Sequence, residues 1–118
     1  MKVTENYLWL LLDEGRIKVG ITKKAQKEIG EIVNIHFPKK GERVYKKDPL
    51  IVLESTKSAI DIDAPISGDI CEINPLLLLS LDPLNHSCED QGWLVTFIPL
   101  QVEQYHLFDN YLMEKLPS

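Results

Sequence analysis

The stretch Leu50-Ile51-Val52-Leu53-Glu54-Ser55-Thr56-Lys57-Ser58-Ala59-Ile60-Asp61-Ile62-Asp63 decides the fold. It reads as two antiparallel strands, and the question is where the turn falls. With Thr56 and Lys57 at the tip, Ser55 faces Ser58, Leu53 faces Ile60 and Ile51 faces Ile62. Away from the tip that face is wholly apolar. The other face pairs Glu54 with Ala59, Val52 with Asp61 and Leu50 with Asp63, giving the alternation of a strand with one buried side. A three-residue loop over Thr56–Ser58 mixes carboxylates and aliphatics on both faces. Burial sets register, so the first pairing is predicted. It places Lys57 at the outermost point of a tight hairpin. Thr-Lys is a poor turn sequence: two-residue hairpins favour Asn-Gly or Asp-Gly, because positive backbone dihedrals are needed, and β-branched Thr56 resists them. Local rules tend to be broken at functional sites. The plain alternative is a surface lysine on an ordinary hairpin.

Similar β-rich runs lie on either side: Tyr7–Leu12, Ile17–Ile21, Ile32–Phe37, Ile70–Ile73 and Trp93–Ile98, separated by turn signals such as Asp13-Glu14-Gly15 and Ala64-Pro65-Ile66-Ser67-Gly68-Asp69. Short strands broken at this spacing predict a mostly β sandwich or small barrel. Thr22 is placed to N-cap a short helix ending at Ile29, with Gly30 as its stop, although Lys23 and Lys24 face the positive end of its dipole. Asn74 and Pro75 open a second short helix. Tyr105, Phe108, Leu112 and Leu116 form a three-and-four stripe that predicts a C-terminal helix over about Val102–Leu116, packed on the β core.

The chain has 118 residues, 44% of them hydrophobic, so one domain over 1–118 with a real core is expected. Its 13 Lys and Arg against 18 Asp and Glu give a formal charge of -5, which argues against nucleic acid as a partner. The longest apolar runs, Leu8–Leu12 and Leu76–Leu79, are far short of a membrane span. No signal or transit segment is visible, so the expected compartment is the cytoplasm, or the mitochondrial matrix if a transit peptide has been removed. Cys71 and Cys88 are expected as reduced thiols. His36, His86 and His106 show no metal-ligand spacing; His86-x-Cys88 offers two ligands with nothing to complete a set. The glycines form no phosphate-binding loop. The pairs Lys23-Lys24, Lys39-Lys40 and Lys46-Lys47 read as solvated loops, or as a docking surface for an acidic partner.

Three stretches then resemble a known family, the H proteins of the glycine cleavage system. They are Val19-Gly20-Ile21-Thr22-x-x-Ala25-Gln26-x-x-x-Gly30-x-Ile32-Val33, Glu54-Ser55-Thr56-Lys57-Ser58-Ala59-x-Asp61-x-x-Ala64-Pro65-x-Ser67-Gly68, and Leu84-Asn85-x-Ser87-Cys88-x-x-x-Gly92-Trp93-Leu94. The resemblance spans about residues 7–116. It implies a flattened barrel-sandwich hybrid whose hairpin tip carries lipoate, covalently bound to Lys57. It also implies a non-enzymatic monomer that serves glycine decarboxylase, aminomethyltransferase and dihydrolipoyl dehydrogenase, and is loaded by a lipoate ligase or lipoyl transferase. The chemistry then belongs to the cofactor and the partner enzymes.

Glu54 matches the acidic position before the family's lysine. Asp61 matches an acid implicated in the loaded state. Both are candidates for ligase or arm contacts, beside the plain reading of a solvated strand face. The sequence departs from the family at Leu8, where members usually carry a polar residue, often a Glu that holds the charged amine of the loaded arm. It departs again at Lys23, where an Asp is common. These two positions motivate an alternative role, a divergent lipoyl relay or redox module outside glycine cleavage. A biotin carrier usually has Met on both sides of its lysine, where Thr56 and Ser58 stand here. An unmodified interaction domain is the remaining alternative.

Overall fold

The computed structural model describes residues 1–4 and 8–110. Ten strands and four short helices follow in the order β1 (Lys2–Val3), β2 (Leu8–Asp13), β3 (Arg16–Ile21), α1 (Lys23–Ile29), β4 (Ile32–His36), β5 (Arg43–Val44), β6 (Pro49–Ser55), β7 (Ala59–Asp63), β8 (Gly68–Ile73), α2 (Leu76–Leu79), α3 (Asp82–His86), β9 (Val95–Pro99), α4 (Glu103–His106) and β10 (Asp109–Asn110). They form two sheets, with orders β10-β1-β2-β3-β9-β8-β5 and β4-β6-β7, rather than one closed barrel. Leu10, Ile17, Val19, Ile70 and Phe97 from the large sheet meet Ile32, Ile51, Leu53 and Ile62 from the small one in a single buried cluster. That core is what the alternating strands predict.

The β6–β7 hairpin has the predicted register. Ile51 pairs with Ile62, Val52 with Asp61, Leu53 with Ile60 and Glu54 with Ala59. One pair differs: Asp63 faces Pro49, and the register shifts between Pro49 and Ile51. The irregularity removes Leu50 from the alternation and lets it be buried. It falls at the start of the strand, where Pro49 has no amide to give the ladder.

Helix α1 begins and ends as its sequence dictates. Thr22 accepts a hydrogen bond from the Ala25 amide through its side chain, and Gly30 closes the helix at a φ of +87°. The acid lacking from the first turn arrives from elsewhere: the Lys23 amide donates to buried Glu89 at 2.7 Å. This partly offsets the unfavourable lysines at that end. Helix α2 starts at Leu76, one residue later than predicted, with Asn74 Oδ1 accepting from the Leu76 amide.

The C-terminal expectation is corrected. Helix α4 covers only Glu103–His106, and the chain then forms β10, pairing Asn110 with Lys2 and Asp109 with Val3. Tyr105 is buried and Phe108 half-buried, so a single turn already docks the first half of the stripe. Asp109 and Asn110 are weak helix formers and satisfy their backbone on the free edge of β1 instead. Leu112 and Leu116 lie outside the described residues. Helix α3 and the two-residue strands β1, β5 and β10 were not predicted; they are too short to show a period.

Candidate functional site

The hairpin tip is built by a serine. Ser55 and Ser58 pair across it, the Ser55 amide donating to the Ser58 carbonyl at 2.8 Å. Ser55 Oγ then accepts from the amides of Lys57 and Ser58, each at 3.1 Å. The Thr56 amide donates to the Glu31 carbonyl at 3.1 Å, which ties the tip to the loop after α1. The expectation of a strained turn is therefore corrected. Neither Thr56 nor Lys57 takes a positive φ; among the described non-glycine residues only Glu14 and Lys47 do. A hydroxyl that accepts from two following amides is a local alternative to a primed turn, so β-branched Thr56 meets no penalty.

Lys57 is exposed at this apex. Its stem passes the end of α1: a Cβ on Gly30 would lie 3.8 Å from Lys57 Cε and 3.9 Å from Cδ. Below it a half-open cleft of about 420 Å³ separates α1 from β7. Its apolar wall is Leu8, Ile21, Ala25 and Ile62; Glu28 from α1 and Asp61 and Asp63 from β7 add carboxylates; Lys57 stands at its edge. The family departure at position 8 thus lies in this cleft, with Leu8 only 4% exposed. Glu28 was not predicted, although Ala25, Glu28 and Ile29 share one helical face by their spacing.

Asp61 and Glu54 sit differently. Asp61 is an exposed residue of the edge strand and lines the cleft. Glu54, on the central strand of the small sheet, is not part of the cleft wall. Its Oε1 accepts from Asn34 Nδ2 at 2.9 Å and is 2.5 Å from His36 Nε2, both on β4. These bonds, His36's first and Asn34's second, hold the Glu54 carboxyl below the ordinary carboxylate range. Neither β4 partner was predicted. Both face Glu54 only through the β4–β6 pairing, which opposes Asn34 to Glu54 and His36 to Val52.

Cys88 is buried, and burial followed by the charge of Glu89 pushes its thiol up to about 11. Cys71 is half-buried, and neither cysteine is in a disulfide. Among the described residues no group of three or more His, Cys, Asp and Glu gathers as a metal site, and no helix is long and apolar enough to cross a membrane.

The model of the glycine cleavage H-protein family matches residues 1–115. The chain belongs to that family. A glycine cleavage system H protein of Endomicrobium trichonymphae is 42% identical over 94 residues, 80% of this chain and 76% of the relative. A probable glycine cleavage system H protein of Aeropyrum pernix is 36% identical over 112 residues, 95% of this chain and 76% of that one. The crystal structure of a glycine cleavage system H protein from Mycobacterium marinum superposes with a TM-score of 0.77 at 26% identity, covering 97% of this chain and 89% of its own. As an H protein the chain is a lipoyl carrier of glycine cleavage, from a carrier family rather than an enzyme family, with lipoate as its covalent cofactor and the enzymes of glycine cleavage as its partners. Nothing in these comparisons favours the relay or redox alternative.

Proposed function

We propose that Lys57 is the residue that carries the lipoyl group. The supporting observation is a primary amine held at the apex of a two-residue hairpin, on the edge of a cleft with an apolar wall. The residues present fit the group. The amine is open to an acylating enzyme, and the apolar wall suits an aliphatic arm. Attached there, the group supplies a dithiolane that takes up a fragment and two electrons by thiol–disulfide chemistry.

The protein's own residues do the rest. Ser55 fixes the turn, so the Lys57 backbone does not wander. Gly30 leaves room for the lysine stem. Leu8, Ile21 and Ile62 give the arm a resting wall and exclude water from it. Glu28 and Asp61 present carboxylates toward positive charge brought into the cleft, so that Glu28 supplies from α1 what Leu8 cannot. No side chain of the carrier has to make or break a bond after loading.

The finer assignments follow on the same reading. The chain serves, as a monomer, a glycine decarboxylase, an aminomethyltransferase and dihydrolipoyl dehydrogenase, and a lipoate ligase or lipoyl transferase loads it. Such partners place it in the cytoplasm, or in a mitochondrial matrix. Intact mass of the protein from its own cell tests the attachment. One lipoyl adduct on Lys57, abolished by Lys57→Arg, supports it; an adduct on another lysine or a biotinyl mass overturns it.

A further inference from the structure

We propose that Asn34 and His36 are positioning residues that hold the Glu54 carboxylate as a fixed recognition anion for the enzyme that acylates Lys57. The inference rests on Lys57 being the attachment site. It concerns the outer face of the small sheet, away from the cleft.

The geometry is specific. Asn34 stands directly opposite Glu54 in the β4–β6 ladder, and His36 is its diagonal neighbour. Both donors converge on a single oxygen, Oε1. A carboxylate only accepts, so His36 carries its proton on Nε2 in this arrangement. The Asn34 amide nitrogen is 3.4 Å from His36 Nε2; both are donors here, so the two side chains are joined only through the oxygen they share. Oε2 is left without a protein partner among the described residues, and the Glu54 side chain is 41% exposed. A glutamate has three rotatable bonds, and an exposed one normally samples many positions. Here two neighbours have fixed it before any partner arrives, which lowers the ordering cost of docking.

The chemistry of loading says what reads this anion. An acyl-adenylate is the activated donor. The Lys57 ammonium first gives up one proton. The free amine attacks the acyl carbon, the carbon–oxygen bond to AMP breaks, the amide bond forms and a second proton leaves the nitrogen. No electrons change hands. An enzyme that binds the phosphate of an acyl-adenylate carries cationic side chains around its active site. Glu54, three residues before Lys57 on the same hairpin, offers Oε2 to such a cation while the lysine enters. The pairing sets orientation and affinity; it takes no part in the bond changes.

The test uses the full-length unlipoylated protein with a lipoate–protein ligase, ATP and lipoic acid, followed by intact mass to obtain KM and kcat. Asn34→Ala and His36→Ala are each expected to raise KM for the carrier about threefold with kcat unchanged, as befits an exposed charged contact. His36→Gln, which keeps a donor, restores most of the loss. In a Glu54→Ala background, His36→Ala adds nothing further. Wild-type KM rises with salt, whereas that of Glu54→Gln is nearly flat. Melting temperatures of the single variants stay at the wild-type value, which excludes a merely structural effect. Unchanged KM in Asn34→Ala and His36→Ala, or the same loss from His36→Ala with and without Glu54, overturns the inference while Lys57 loading stands. A wild-type protein that takes no acyl group on Lys57 overturns both.

Discussion

The Trp9 indole donates from Nε1 to the Cys88 carbonyl at 2.9 Å, joining two residues 79 positions apart. Its ring fills the space beside Gly20, where a Cβ would lie 2.5 Å from Trp9 Cε2 and Cζ2. Trp9 is 1% exposed, so the ring has nowhere to move. Gly20→Ala is expected to cost about 1–3 kcal/mol by overpacking. Urea unfolding measures it, and an unchanged midpoint would show that the ring yields freely. Trp9→Phe leaves the Cys88 carbonyl without its donor, at a similar cost of about 1–3 kcal/mol.

The buried Cys88 thiol gives a pH signature. Its value of about 11 is raised from 9.0, because burial and the neighbouring Glu89 charge disfavour the thiolate. The unfolded chain therefore releases this proton first. Stability from this group is intact below the ordinary thiol value and falls as pH rises from 9.0 towards about 11. Denaturation of wild type and Cys88→Ala across that window isolates the effect, since other alkaline titrations are shared. A thiol reagent at neutral pH should reach half-buried Cys71 well before Cys88. Equal reaction rates would contradict the burial.

Ser55→Ala removes the acceptor for the Lys57 and Ser58 amides. The site is exposed, so the expected loss of stability is about 1 kcal/mol or less. The local effect is larger: amide exchange at Lys57 and Ser58 should speed up while Leu53 and Ile62 keep their protection. Acylation of Lys57 should slow through a higher KM, because the amine becomes less well placed. Unaltered exchange at the two amides would mean that the ladder, not the hydroxyl, holds the tip.

The hairpin was legible in the sequence for a simple reason. Carboxylates at Glu54, Asp61 and Asp63 and aliphatics at Ile51, Leu53, Ile60 and Ile62 leave one register in which they do not share a face. The departure at Leu50 was hidden, because an extra residue at a strand start leaves the alternation downstream intact. The turn was misread because a serine hydroxyl can replace the positive dihedrals that a primed turn needs. The structure uses such dihedrals elsewhere, at Glu14 and Gly15 between β2 and β3. The candidate site was half legible. Lys57, Glu54 and Asp61 lie on the hairpin itself. Asn34 and His36 reach it only through strand pairing, which no local spacing encodes, whereas Glu28 shares a helical face with Ala25 and Ile29 but needs the packing of α1 to bring it to the cleft. The predicted C-terminal helix breaks after His106 because docking Tyr105 needs one helical turn, and the free edge of β1 then captures Asp109 and Asn110.

The cleft offers the sharpest functional prediction. Leu8 and Glu28 both line it, one apolar and 4% exposed, the other acidic and exposed. If Glu28 supplies the carboxylate that position 8 lacks, then Glu28→Gln should lower glycine–bicarbonate exchange about tenfold, the scale of one hydrogen bond to a charge. Leu8→Glu in that background should restore much of it. The restored protein is less stable, because a carboxyl at this buried position costs about 1–3 kcal/mol even when neutral and more when charged. Burial raises the pKa of the new Glu above its unfolded value. Its contribution is therefore least harmful below the ordinary carboxylate range, and stability is lost as pH rises through the raised value. Exchange assays with purified partner enzymes, beside melting curves at about pH 5 and about pH 8, separate the two effects. Wild-type exchange in lipoylated Glu28→Gln would remove Glu28 from the cleft's function and leave attachment at Lys57 untouched.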